Sequence, residues 1–174
     1  MPARNDNARK ALIDNLNGLL ADCFALYLKT KNFHWHVSGP NFRDLHLLFD
    51  EQGAELFALT DIIAERVRKN GADTLGSIGA IAAKSRIKDQ DSTALKPAAM
   101  LEELRDDTVL LIAALRETKQ SASDAGDNAS EGMIDDWTDQ AERRVWFLTQ
   151  TMQYYWHSIA VAFRSGCSGA MRRG

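Results

Sequence analysis

The sequence predicts an all-α chain: a bundle of four long helices, with a short extra helix in the connection between the second and third. Apolar residues recur at steps of three and four through four stretches, each far longer than a strand. The interruptions between them carry Gly, Pro, Asn or Asp, the residues that end one helix and begin the next. No stretch reads as a strand, and no internal repeat is present. The second stretch alone, if helical, is about 43 Å long. A helix of that length buries its apolar stripe only against neighbours of similar length, which makes a bundle.

The first helix is expected over residues 7–37, where Leu12, Leu16, Leu19, Leu20, Cys23, Phe24, Tyr27 and Leu28 keep helical spacing. Ser38-Gly39-Pro40-Asn41 then closes it and opens the next, with Asn41 as N-cap. The second helix is expected over 42–70, stopping at Gly71. A connection follows over 72–91, long for a simple bundle. Its apolar piece, 78–83, suits a short helix of its own. The third helix starts near Pro97, a residue suited to a first turn, and runs to about Ser121. Residues 121–127 (SASDAGD) read as a loop. The fourth helix is expected over 128–163 and is rich in aromatics, among them Trp137, Trp146, Phe147, Tyr154, Tyr155 and Trp156. The whole chain, 1–174, reads as one domain with flexible tails at about 1–6 and 164–174.

Composition narrows the function. The chain of 174 residues is large enough for a single real core. No run of eighteen apolar residues occurs, so no membrane span is expected. MPARNDNARK lacks an apolar segment, so no signal peptide is expected. Cys23 and Cys167 form no zinc or redox motif and read as free thiols in a cytoplasmic protein. The net charge of −3 argues against a general nucleic-acid binder. Positive charge is nonetheless concentrated at the ends, at Arg4, Arg9 and Lys10 and at Arg164, Arg172 and Arg173.

The stretch 31–66 carries the chemistry. It holds His34, His36 and His46 with the acids Asp50, Asp61 and Glu65. His34 lies six residues before Pro40 and His46 six after it. In an antiparallel hairpin such residues come level, so two imidazoles stand side by side near the turn. Around the second helix, His46, Asp50, Asp61 and Glu65 fall within about 100° of one another. Along its axis, however, Asp61 is roughly 22 Å beyond His46, and a metal–ligand bond is about 2 Å. One chain cannot bring both to one ion. A second copy packed antiparallel across a two-fold axis would set His34 and His46 of one chain against Asp61 and Glu65 of the other. Imidazole with carboxylate suits Fe(II), and also Zn, Mn or Co. No Glu stands three residues before any histidine, so the Glu-x-x-His motif of di-iron bundles is absent.

Thr30-Lys31, His34-Trp35, Gly39, Phe42, His46, Asp50, then Asp61 and Glu65-Arg66 resemble the pattern of the Dps family, the mini-ferritins that protect bacterial DNA in starvation. The likeness continues through GADTLGS at 71–77, DAGD at 124–127 and Trp146-Phe147-Leu148, and so covers most of the chain. It implies a ferritin-like fold and a hollow dodecamer built from two-fold dimers. It also implies oxidation of Fe(II), preferably by hydrogen peroxide, with storage of ferric mineral. His34, His46, Asp61 and Glu65 would be the iron ligands. One departure is His36, where the family commonly has Asn.

Other residues keep two readings. Asp50 is a ligand or an acceptor that orients His46. Trp35 is a packed aromatic or an electron donor beside the iron. Lys31 matches a family lysine near the iron, and otherwise is a solvated side chain. His36 points about 200° from His34 and reads as structural or surface; His157 reads as packing. Asp124, Asp127, Glu131, Asp135 and Asp136 surround the start of the fourth helix. They are ordinary caps and dipole partners, or, as the resemblance implies, an acidic funnel for Fe(II) at a three-fold axis, with Asp127 and Asp136 as the pore acids. The alternative function is a DNA-condensing protein with an incidental metal site. DNA contact would then be weak and rest on the Arg-bearing tails.

Overall fold

The computed structural model describes residues 3–166, and within them the side chains of 6–153 and of Tyr155. Five helices follow in order: α1 Ala3–His36, α2 Phe42–Lys69, α3 Ile78–Lys84, α4 Pro97–Ala125 and α5 Asn128–Gly166. No strand occurs among the described residues. The four long helices form the bundle, with α1 against α2 and α4, and α4 against α5. The short α3 rests on α1.

Most boundaries follow the sequence. Gly39, Gly71 and Gly126 adopt φ of 105°, 80° and 69°, a region that favours glycine. Asn41 takes the cap position of α2, but its side chain makes no capping hydrogen bond. The turn is held by backbone instead, with Phe42 N donating to Gly39 O at 3.0 Å. Three bounds differ from expectation. α1 begins at Ala3 and α5 reaches Gly166, each longer than its periodic core requires. The expected loop over 121–127 shortens to Gly126 and Asp127, because α4 continues to Ala125 with Ala122 fully buried. Gly126 N and Asp127 N then bond back to Ser123 O and Ala122 O, closing the helix in two residues.

Leucines dominate the core, with Leu12, Leu16, Leu19, Leu20 and Leu26 of α1 meeting Leu45, Phe49, Leu56 and Ile63 of α2 and Met100, Leu101, Leu104 and Leu111 of α4. By length and composition alone, α1 would pass for a membrane span. Its apolar face is core, however, and it buries Asp22 and Lys29, each paired. Asp22 accepts from Arg86 Nε at 2.8 Å, and Lys29 Nζ donates to Asp107 at 2.5 Å. Cys23 is a free, buried thiol, pushed up to about 12 by burial.

The α2–α5 gap is bridged by long polar side chains. Arg144 of α5 is 2% exposed; Nη1 reaches Glu55 Oε2 at 3.3 Å, while Nε and Nη2 have no hydrogen-bond partner among the described residues. Arg143 shares Glu55 at 2.5 Å. The chain end from 167 onward, with Cys167, Arg172 and Arg173, lies outside the described residues, as do the side chains of His157 and Arg164.

Candidate metal centre

The hairpin of α1 and α2 brings the two imidazoles level, as their equal distance from the turn requires. His34 and His46 stack with ring centroids 3.8 Å apart and 19° between planes. Each ring's Nδ1 lies 2.8 Å from the other residue's main-chain carbonyl oxygen. A carbonyl only accepts, so in both rings Nδ1 donates and holds the proton. In a neutral ring that fixes the tautomer and leaves the Nε2 lone pair for a metal. The hairpin backbone thus takes the part usually played by a carboxylate behind a metal-bound histidine. His34 is 9% exposed, held among the core. Phe42, first residue of α2, flanks His46 at 5.1 Å.

Asp50 stands beside this pair but does not orient His46, whose Nδ1 is occupied by the His34 carbonyl. Asp50 Oδ1 is instead 2.7 Å from Lys31 Nζ and 3.8 Å from His34 Nε2. The Lys31 hydrogen bond and charge hold the Asp50 carboxyl below the usual carboxylate range. Lys31 is therefore not a free solvated side chain. Hairpin level could have revealed the pair: Lys31 is nine residues before Pro40 and Asp50 ten after. The reciprocal carbonyl bonds left no such signal, since every residue has a carbonyl.

Asp61 and Glu65 lie farther along α2, both exposed. Glu65 Oε2 pairs with Lys69 Nζ at 2.9 Å, one turn on, which lowers its carboxyl. Among the described residues, no three His, Cys, Asp or Glu side chains of one chain gather closely enough to hold an ion. The single chain presents two half-sets, the imidazoles at one end of α2 and the acids toward the other. The same two helices expose large apolar side chains: Leu28 and Trp35 of α1 and Phe57 of α2 are each more than half exposed. Phe57 sits in the same stripe as His46, Asp50 and Asp61. Trp35 is thus not a packed aromatic within this chain. His36 is exposed, its Nδ1 bonded to Asn32 O of its own helix at 2.8 Å.

Asp127 follows the capping reading. It accepts from Ser130 N at 3.1 Å, Ser130 Oγ at 2.6 Å, Asn70 Nδ2 at 3.2 Å and the Arg66 guanidinium. Burial alone would raise its carboxyl; the hydrogen bonds from Arg66, Ser130 and Asn70 outweigh that and hold it far below the usual range. A carboxylate so occupied has little left to offer a passing cation. Asp124 accepts from Gln120 Nε2 at 3.0 Å, and Asp135 pairs with Lys119 at 2.5 Å. Asp136 is exposed, and Glu131 is half-buried.

The comparisons with known proteins agree with the fold. Residues 13–155 match the family model described as a ferritin-like domain. The chain is 35% identical to the DNA protection during starvation protein of Brevibacillus brevis, over 76% of this chain and 89% of that one. Among solved structures it superposes on Dps from Thermosynechococcus elongatus with a TM-score of 0.83 at 27% identity, covering 85% of this chain and 94% of that one. It also superposes on the Dps protein of Vibrio cholerae O1, described as a member of a broad superfamily of ferritin-like diiron-carboxylate proteins. That match has a TM-score of 0.80 at 25% identity, covering 84% and 91% of the two chains. With the fold and the extent of these matches in agreement, the chain belongs to the Dps family of ferritin-like proteins.

Proposed function

We propose that this protein oxidises and stores iron at a centre shared between two copies of the chain. His34 and His46 of one copy and Asp61 and Glu65 of the other bind Fe(II), with Asp50 beside them. Hydrogen peroxide, or oxygen, is the oxidant. Two Fe(II) ions give two electrons to one peroxide, whose O–O bond breaks; with two waters, the products are two ferric oxyhydroxide units and four protons. The protein's part is to hold oxidisable ions beside the oxidant. A hollow dodecamer built from two-fold dimers keeps the mineral inside. Consuming Fe(II) and peroxide together removes the reactants that make hydroxyl radicals, which protects DNA. The protein acts in the cytoplasm.

The observation that carries this reading is the stacked histidine pair, with both Nδ1 protons committed to main-chain carbonyls and both Nε2 lone pairs free. The absence of a complete ligand cluster among the described residues supports a second chain as the source of the acids. So do the exposed side chains of Trp35 and Phe57, apolar surface that a second chain would cover. Trp35, next to His34, supplies an electron when the oxidant outruns the iron.

The test loads Fe(II) without oxygen, adds peroxide and follows ferric absorbance. His34→Ala and Asp61→Ala each keep the assembly's size and slow oxidation at least tenfold, because a shell missing one ligand binds the ion weakly. Peroxide-driven oxidation at the parent rate in both variants would remove these residues from the account.

A further inference from the structure

Among the described residues, only Arg144 keeps buried side-chain nitrogens without a hydrogen-bond partner. Its Nη1 donates to Glu55 Oε2, while Nε and Nη2, which form the opposite edge of the fork, donate to nothing. Glu55 also accepts from Arg143 and is itself 30% exposed. Two guanidiniums therefore share one carboxylate, and the dehydrated seam keeps one uncompensated positive charge. Burial lowers Arg144 from its ordinary value; the Glu55 carboxylate opposes this and the Arg143 charge adds to it. The backbones of α2 and α5 approach each other less closely than those of the other neighbouring long helices. Between them lies a cavity of about 40 Å³, walled by Arg143, Arg144, Gln52 and Glu55 with Leu48 and Phe147. Glu51 also lines it, but is exposed and makes no ion pair among the described residues, so water screens its charge. The cavity has room for about three waters, or for one planar anion of three or four heavy atoms.

We propose that this cavity is a binding site for a small monovalent oxyanion, such as nitrate, formate or bicarbonate, held by the Nε–Nη2 edge of Arg144. That edge carries two parallel N–H donors, a spacing that matches two oxygens of one planar anion. In this conformation neither nitrogen touches solvent; the guanidinium turns its edge to the cavity as the anion enters. The anion supplies two acceptors and one negative charge together, which are what Arg144 lacks. Phosphate and sulfate, larger and more highly charged, fit less well. A bound anion ties α5 to α2 across their seam, so thermal stability depends on which anion is present.

The assembled protein is melted in sodium gluconate, whose anion is too large for the cavity, with nitrate substituted at fixed ionic strength. The melting temperature rises with nitrate and saturates, gaining roughly 3–5 °C at ten times the dissociation constant. Arg144→Met shows no such rise. Glu55→Gln leaves both guanidiniums without a carboxylate, so it melts lower than the parent but responds at several-fold lower nitrate. A parent crystal soaked in nitrate shows the planar anion with two oxygens about 2.9 Å from Nε and Nη2. The last two readings stand whether or not Arg144→Met assembles. An equal rise in the parent and Arg144→Met would reduce the effect to general salt and overturn the proposal. So would a Glu55→Gln response that needs more nitrate than the parent's, or a soaked crystal with no anion at that edge.

Discussion

Take two variants, His46→Ala and Asp61→Ala, each inactive as a homodimer because both of its sites lack a ligand. The two positions are separated by fifteen residues of continuous helix, roughly 22 Å at 1.5 Å per residue. No side-chain movement closes that gap to a bond of about 2 Å. If the centre is shared, mixing rescues it. Unfold the two variants and reassemble them together in equal amounts. With random pairing, about half the dimers are mixed. In a mixed dimer, one site takes His46→Ala from the first chain and Asp61→Ala from the second, and is doubly broken. The other takes intact His46 and intact Asp61, and is whole. About a quarter of all sites return, and with them about a quarter of the peroxide-driven oxidation rate. Size measurement confirms that the mixture has reassembled. A correctly sized mixture with no recovered rate would refute a centre shared across two chains, whatever the fold resembles.

Three further outcomes follow from the side chains. Asp127→Ala removes the α5 cap and leaves the Arg66 guanidinium short of an acceptor, a loss of about 2–3 kcal/mol, seen as a drop of roughly 5–10 °C in melting temperature. The folded-state carboxyl of Asp127 is depressed, so its stabilisation is present above the unfolded value, about 4, and fades as pH falls below that. The stability gap between parent and Asp127→Asn should therefore narrow below about pH 4; a constant gap down to pH 2 would show that the ionised carboxylate is not what matters. Glu55→Gln leaves Arg144 buried without its counter-charge and costs about 2–3 kcal/mol, discounted because Glu55 is itself partly exposed. Arg144→Met, which removes the buried charge altogether, should be near neutral or stabilising in a denaturant titration; a large loss would mean the guanidinium is well satisfied. DNA binding, if present, should be weak, with a shallow salt slope set by few phosphate contacts. Deleting residues 165–174 should weaken the gel shift, and an unchanged shift would clear Arg172 and Arg173 of a role.

Much of the architecture was legible because long helices announce themselves. Leu12, Leu16, Leu19 and Leu20 repeat at helical spacing and are fully buried, and Gly71 stops α2 where its backbone alone permits. Level across the hairpin predicted the His34–His46 stack from nothing more than the position of Pro40. What was not legible depended on where side chains end. The helical run into 121–125 was hidden by small and polar residues, which read as loop until Ala122 is seen in the core. Asp127 looked like a pore acid because composition counts charges and does not show that Arg66, Asn70 and Ser130 already surround this one. Arg144 gave no sign of burial, since an arginine between Arg143 and Val145 on a surface-like segment reads as solvated. The Lys31–Asp50 pair fell between these cases: its level was readable, but the bare Gly53, beside which the lysine stem passes, shows only in three dimensions.

The central claim is that one ion is held by two chains. A crystal of the assembled protein, soaked anaerobically in Fe(II), tests it most directly. The account predicts an iron peak at Nε2 of His34 and His46 of one chain, about 2 Å from each, with carboxylate oxygens of Asp61 and Glu65 from the other chain completing the shell. Iron ligated by residues of one chain alone, or a peak away from the histidine pair, would contradict it.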